Sequence, residues 1–371
     1  MLDAFALFLI AGIATHFGVA GVRRWALSHN ALDIPNARSG HSRPTPRGGG
    51  LAVALVTILG WTALGIVFSS PTSRAALLAY AGGAGLIALV SWLDDLYSLS
   101  AATRFTAHIF AALAVVLALG PWQTISLAPG LELTLGYAGA AITLLWIVGL
   151  TNAFNFMDGS DGLAGSQALV AGLGWACLGW MNHLPAVEIL ALLLAAGSLG
   201  FLFHNWPPAR IFMGDVGSAF LGYSFAVLPL LAQGENVRIA GAGPILGFLV
   251  VWPFIFDAAF TFLRRLRKGE NVFAAHRSHL YQRLIIVGYS HRFVLLLYSG
   301  LAIAGTAAAL CWCMRPVEVI WSSVVLVPAL ACALWGFVVG EERRALNTAP
   351  SPHILPMPSA RASAAPVRKA A

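Results

Sequence analysis

Apolar runs of roughly 17 to 25 residues recur along the whole chain, and each is long enough to cross a hydrocarbon core roughly 30 Å thick. Eleven such runs are predicted, at residues 3–22, 49–69, 74–93, 104–120, 137–156, 163–181, 186–204, 216–232, 241–263, 293–314 and 317–339. Each is expected to be a helix, because a backbone in lipid has no partner for its N–H and C=O groups but itself. The predicted fold class is therefore all-α: a polytopic membrane helical bundle with no room for a soluble domain between spans. Run 3–22 lacks a basic leader and a convincing small-residue cleavage site, so it is expected to remain as a helix.

Composition supports this pattern. The 371 residues are 58% hydrophobic and only 10% charged, with a mean hydropathy of +0.79, values that exclude an ordinary soluble domain. Of the 22 Lys and Arg, all but Arg74, Arg238 and Arg315 fall in one alternating set of loops or in the tail. The positive-inside rule then predicts a periplasmic N-terminus and a cytoplasmic C-terminus. Anionic headgroups account for the net charge of +7, so no nucleic-acid partner is expected. Residues 1–344 read as the membrane domain. Residues 345–371, rich in Ala, Pro and Ser, read as a disordered cytoplasmic tail. Cys177, Cys311, Cys313 and Cys332 lie in apolar runs, without zinc or disulfide spacing, and are read as core residues.

Acids in so apolar a chain should be paired or functional. Asp94-Asp95, Asp158 with Asp161, and Asp215 all fall at the same predicted face, as do residues 33–50 and 264–292. Asp94 and Asp95 close a predicted helix, where partial negative charge disfavours carboxylates. They read either as a helix end reaching water or as one acid facing a ligand while the other anchors the loop. Asn152 and Asn155 share a helix face ahead of two Asp-Gly turns that could expose N–H groups to a phosphate. Asp215 could be an N-cap or a ligand to a hard cation such as Mg²⁺, and Arg210 could supply a phosphate contact. The loop His276-Arg277-Ser278-His279 concentrates anion-binding donors, and a basic loop against anionic lipid is the plainer alternative.

In this order the segments resemble one family, the polyprenyl-phosphate N-acetylhexosamine-1-phosphate transferases, which include the initiators of O-antigen and teichoic-acid synthesis and the phospho-MurNAc-pentapeptide transferase. The resemblance rests on Asp33-Ile34-Pro35-Asn36 with Arg38, His41 and Pro44 to Gly50; on Asp94-Asp95; on Asn152 to Gly165; on Pro208 to Ser218; and on Asp257 leading to His276 through His279. It covers residues 30–290. It implies Asp215 as the Mg²⁺ ligand, Asp94 and Asp95 as an acidic pair near metal and lipid phosphate, and Asp161, Asn205 and Phe212 as a uridine pocket. Asn155 and Asp158 would stand at the catalytic cleft. His276, Arg277 and His279 would meet the diphosphate and sugar, with Arg43 and Arg47 near phosphate or sugar.

The implied reaction joins a UDP-N-acetylhexosamine to undecaprenyl phosphate by direct attack of the lipid phosphate, with Asp94 positioning or deprotonating it, and a covalent aspartyl route left open. A homodimer is also left open. The run Leu280-Tyr281-Gln282-Arg283 replaces a His-rich cluster common in the family. It resembles the O-antigen initiating branch, in which some donors are 6-deoxy sugars such as N-acetylfucosamine. The rival class is a secondary transporter, whose site would sit near mid-membrane between repeats; here the acids stand at span ends and no repeat is visible.

Overall fold

A computed structural model of the chain describes residues 2–35, 43–68, 71–128, 131–235, 239, 241–272, 274, 276–314 and 316–348. Among these are twelve helices: α1 (Leu2–Ser28), α2 (Gly50–Phe68), α3 (Pro71–Tyr97), α4 (Ala101–Leu119), α5 (Ala138–Met157), α6 (Leu163–Met181), α7 (Pro185–Asn205), α8 (Asp215–Glu235), α9 (Gly243–Arg267), α10 (Leu280–Val287), α11 (His291–Met314) and α12 (Pro316–Thr348). A helix covers every one of the predicted runs, and the short α10 is the addition. Two small antiparallel pairs complete the description, β1 (Leu32–Asp33) with β2 (Thr45–Pro46) and β3 (Thr124–Ala128) with β4 (Leu131–Thr134). The fold is an all-α polytopic membrane bundle. Nine of the described helices are long and apolar enough to span; in α2 the apolar stretch is the shorter Gly50–Gly65, and α6 carries Ser166 and Gln167 near its start. Residues 349–371, most of the expected tail, lie outside the described residues, as do Arg38 and His41.

α8 is the centre of the bundle. Every residue from Val216 to Ala232 is buried, and α2, α3, α4, α5, α6, α7 and α9 all pack on it. Leu117, Leu145, Phe110 and Leu296 point outward, as lipid-facing positions should, since lipid tails are as apolar as the side chains. The cysteines correct a reading made from hydropathy alone: Cys177, Cys311 and Cys332 are exposed rather than in the core. An apolar run does not say which of its sides meets other helices.

Several hydroxyls within the bundle are satisfied by the backbone of their own helix, as a medium without water favours. The Thr143, Thr151, Ser198 and Ser224 hydroxyls donate to the carbonyl four residues back. α9 bends where Val251 leaves helical geometry (φ −120°, ψ 15°) just before Pro253, which has no N–H to give the ladder. Gln167 Nε2 donates to the Val250 carbonyl there at 3.0 Å. At one end of the bundle the β3–β4 hairpin meets Gly241, and Glu235 accepts the Ala186 and Val187 N–H groups. At the other end the termini of α3, α4, α5 and α8 converge, and there the acids collect.

Candidate active site

The site begins with a chain crossing that needs glycine. The Gly49 and Gly50 N–H groups donate to the Phe212 and Met213 carbonyls, both at 2.9 Å, and Phe212 N–H donates to Pro46 O at 2.8 Å. The backbones come so close that a Cβ on Gly50 would meet Gly217 Cα at 2.2 Å. Gly214, with φ +76°, would set a Cβ against Asp95 and Gly48; a glycine takes that left-handed conformation without strain. This crossing carries Arg47 to the start of α8.

Asp95, at the end of α3, is the anchor. Its Oδ1 and Oδ2 accept the Asp215 and Val216 N–H groups at 3.0 and 3.1 Å, so a carboxylate from another helix caps α8, where the orphan N–H groups and the helix dipole favour negative charge. Arg47 pairs with the same carboxylate and stands 3.8 Å from Asp215. Burial works against the Arg47 charge, but Asp95 and Asp215 outweigh it and raise its pKa. Asp94 turns elsewhere: Oδ1 accepts Leu99 N–H at 2.6 Å, and Oδ2 accepts Arg104 Nη1 at 2.8 Å. The same Arg104 nitrogen is 3.1 Å from Asp215 Oδ2. Asn155 Nδ2 also donates to that oxygen at 3.2 Å, and Asn155 Oδ1 accepts the Ser218 hydroxyl at 3.0 Å. Asp215, with its side chain 22% exposed, is therefore held from four elements and still reaches the open space in front of it.

That space is a cavity of about 370 Å³. Asp215, Asp158 and Asn155 line one part, Arg47 and Arg277 face it, and Asp161, Asn205 and Phe212 continue the wall. Burial first, then the charges of Asp215 and Asp95, push the Asp158 carboxyl well above the usual carboxylate range, with Arg47 opposing. The Phe212 wall is built by amides: Asn205 Oδ1 accepts Gly162 N–H at 2.7 Å, Asn205 Nδ2 donates to Ile211 O at 2.9 Å, and Asp161 Oδ2 accepts Ala209 N–H at 3.0 Å. His291 joins the lining, its Nδ1 2.9 Å from the Ser160 hydroxyl and 3.3 Å from Asp161 N.

The basic loop is fixed by a second remote carboxylate. Asp257 of α9 is wholly buried; it accepts Leu280 and Tyr281 N–H groups at 2.8 and 3.1 Å, the Tyr298 hydroxyl at 2.6 Å and the Thr261 hydroxyl at 3.2 Å. His279 Nδ1 lies 3.2 Å from it, and Gln282 Oε1 accepts His279 N–H at 3.3 Å, closing a capping box. Tyr281, fully buried, donates its hydroxyl to Phe156 O at 3.1 Å. It thereby ties α10 to the last turn of α5. His276 leans on Ser278; burial, then His279 and Arg265, lower its pKa to about 4.

Of the residues singled out in the sequence, Arg47, Asn155, Asp158, Asp161, Asn205, Phe212, Asp215 and Arg277 line the cavity, whereas Asp94, Asp95, His276, His279, Arg43 and Arg210 do not. Asp95 and His279 are used in capping, Asp94 holds Arg104, and Arg43 and Arg210 are exposed. Sequence reasoning missed Arg104 and His291. A cation in the first turn of α4 is as misplaced electrostatically as two acids at the end of α3, which is a readable signal for Arg104; the pattern around His291 offers none. Among the described residues no three His, Cys, Asp or Glu side chains are grouped to cage a metal. The donors do fit a hard cation completed by substrate oxygens and water, which takes one or two carboxylates from the protein: Asp215 opens on the cavity and Asp158 feels its charge.

Comparison with known proteins places this geometry. The profile described as Glycosyl transferase family 4 matches residues 77–233, which span α3 through most of α8. A probable undecaprenyl-phosphate N-acetylglucosaminyl 1-phosphate transferase of Bacillus subtilis is 35% identical over 75% of this chain and 76% of its own length. A decaprenyl-phosphate N-acetylglucosaminephosphotransferase of Mycobacterium tuberculosis is 32% identical over 87% and 86%, and the undecaprenyl-phosphate alpha-N-acetylglucosaminyl 1-phosphate transferase of Escherichia coli is 28% identical over 81% of each. With a cavity of acids, amides and arginines at one end of the bundle, and relatives aligned over most of its length, this chain belongs to glycosyl transferase family 4, the family of the polyprenyl-phosphate N-acetylhexosamine-1-phosphate transferases.

Proposed function

We propose that this protein transfers an N-acetylhexosamine 1-phosphate from a UDP-sugar to undecaprenyl phosphate at the cytoplasmic face of the bacterial inner membrane. An oxygen of the lipid phosphate attacks the sugar-proximal phosphorus, the bond from that phosphorus to the oxygen bridging it to UMP breaks, and UMP leaves with the bridging oxygen. The lipid product is a polyprenyl diphosphate sugar, the first intermediate of a cell-envelope polysaccharide such as O-antigen. The observation that carries the reading is Asp215: a residue held from four elements through its backbone N–H and its carboxylate, and open to a cavity that also presents Arg47 and Arg277.

Phosphoryl transfer of this kind needs positioning and charge neutralisation more than covalent help. Arg47 and Arg277 would hold diphosphate oxygens, which guanidinium forks suit. Asp161, Asn205 and Phe212 would seat the uridine, with Phe212 offering a stacking face. Mg²⁺ held at Asp215, with Asp158 beside it, would supply charge neutralisation on the diphosphate. The acceptor phosphate is largely ionised at neutral pH, so Asp94 is given a positioning role through Arg104 rather than that of a base. The sugar in the relatives' names is N-acetylglucosamine, so UDP-N-acetylglucosamine is the first donor to try; the 6-deoxy reading drawn from Tyr281-Gln282 is the competing arm. UMP release is measured from purified protein given undecaprenyl phosphate, Mg²⁺ and a panel of UDP-N-acetylhexosamines that includes 6-deoxy sugars. Release dependent on both lipid and Mg²⁺ is expected, and silence across the panel from folded protein overturns the proposal.

A further inference from the structure

Arg210, singled out in the sequence as a phosphate contact, stands outside the cavity, and what it borders is a second groove of about 570 Å³. The floor is apolar, with Leu169 of α6 and Leu199 and Phe203 of α7. Trp206, Arg210 and Arg292 stand at its polar end. Leu199 is seven residues before Trp206 in nearly continuous helix, so the floor runs about 10 Å deeper along the bundle than its mouth. Both arginines are exposed and no carboxylate lines the groove among the described residues. Arg292 is oriented by its Nε, which donates to Pro207 O at 3.0 Å. Arg23 adds a third cation next to them, donating from Nε to the Arg210 carbonyl at 3.2 Å.

We propose that this groove binds an anionic glycerophospholipid of the surrounding bilayer, with its phosphate on Arg210 and Arg292 and an acyl chain along Leu169, Leu199 and Phe203. Charge complementarity selects the headgroup: two unneutralised guanidiniums at the level where headgroups lie attract an anionic lipid and gain little from a zwitterionic one. The apolar floor beneath them suits an acyl chain, which a soluble phosphate lacks. The wall of residues 205–208 separates this groove from the catalytic cavity: Asn205 turns its amide to the cavity side, while Trp206, Pro207 and Pro208 face the groove. A phosphate on Arg210 and Arg292 is thus behind the wall from Asp215, so the occupant is a bilayer lipid and not the acceptor substrate. Its binding would brace the segment that carries Asn205 and Phe212, and the N-terminus of α11 that carries His291.

The experiment is native mass spectrometry of the full-length protein in detergent, without nucleotide sugar, titrated in turn with phosphatidylglycerol, phosphatidylcholine and undecaprenyl phosphate. Wild-type protein is expected to retain phosphatidylglycerol in preference to phosphatidylcholine. Arg210→Gln/Arg292→Gln should weaken that retention by roughly 30-fold, the effect of two arginines near an anionic surface. Leu199→Trp, which fills the floor without touching charge, should also lose it, and Arg210→Lys/Arg292→Lys should keep most of it, so the test stands even if the glutamine variant fails to fold. Equal retention of phosphatidylcholine, or unchanged phosphatidylglycerol binding in the Leu199→Trp protein, overturns the proposal. So does displacement of phosphatidylglycerol by undecaprenyl phosphate from this groove. Because no donor is present, the result is independent of the proposed transfer.

Discussion

Asp95 and Asp257 do the same structural job in opposite surroundings. Each is an acid on one helix that accepts the first two N–H groups of another: Asp95 those of α8, Asp257 those of α10. Around Asp257 the remaining partners are the hydroxyls of Tyr298 and Thr261 and the ring of His279, and the carboxylate is sealed from solvent. Around Asp95 the neighbours are charged, with Arg47 directly on it and Asp215, Arg104 and Asp94 linked beyond. Asp257 latches a loop; Asp95 holds another carboxylate at the edge of a cavity. A remote cap becomes part of a candidate active site when the residue it positions is itself an acid left partly open.

Substitutions should separate the two. Asp215→Asn keeps the backbone N–H that Asp95 caps but removes the open charge, so UMP release is expected to fall on the order of 10³-fold, with thermal unfolding little changed. Asp95→Asn turns one acceptor into an amide facing an N–H donor and loosens Arg47. Activity should drop about 100-fold, the effect of shifting a reacting group by about 1 Å. Asp257→Asn is expected to act first on stability, lowering it by roughly 3 kcal/mol through lost charge-assisted hydrogen bonds, seen as an earlier thermal transition with Mg²⁺ dependence unaltered. If Asp95→Asn lost only stability and Asp257→Asn only Mg²⁺-dependent rate, the contrast drawn above would be reversed.

Two smaller effects refine it. Arg104 neutralises Asp215 through a half-open contact, so Arg104→Gln should lower the Mg²⁺ needed for half-maximal rate by up to about fivefold, the range of a solvent-screened pair. His276, with its pKa lowered to about 4, binds its proton more weakly folded than unfolded. Its contribution to stability is therefore unchanged above about pH 6.5 and is lost as pH falls from there toward 4. His276→Gln should melt like wild type at pH 7.5 and survive better than wild type at pH 5.

The helices were legible because lipid leaves the chain few alternatives: a helix covers every apolar run, and only α10, too short and too amphipathic to read as a span, was not foreseen. The convergence of acids at one end was legible too, since loops at alternate span ends share a face. What could not be read was the division of labour between neighbours. Asp94 and Asp95 are adjacent and chemically identical; only the approach of α8 decides that Asp95 caps and Asp94 holds Arg104. Arg47 and Arg210 looked alike as phosphate contacts, yet the glycine crossing at Gly50 and Gly217 carries one to the cavity, and the turn after Pro208 leaves the other outside. His279 looked chemical because it is a histidine near arginines, whereas Asp257, 22 residues earlier, uses it as a cap.

The most direct measurement is the identity of both products from wild-type protein incubated with undecaprenyl phosphate, Mg²⁺ and UDP-N-acetylglucosamine, or whichever donor of the panel is turned over, with the lipid extract and the nucleotides analysed by mass spectrometry. Equal amounts of UMP and a polyprenyl diphosphate N-acetylhexosamine are expected, with both absent in Asp215→Asn. UDP together with a polyprenyl monophosphate sugar would mean that the sugar moves without its phosphate, and would contradict a site built around the diphosphate at Asp215.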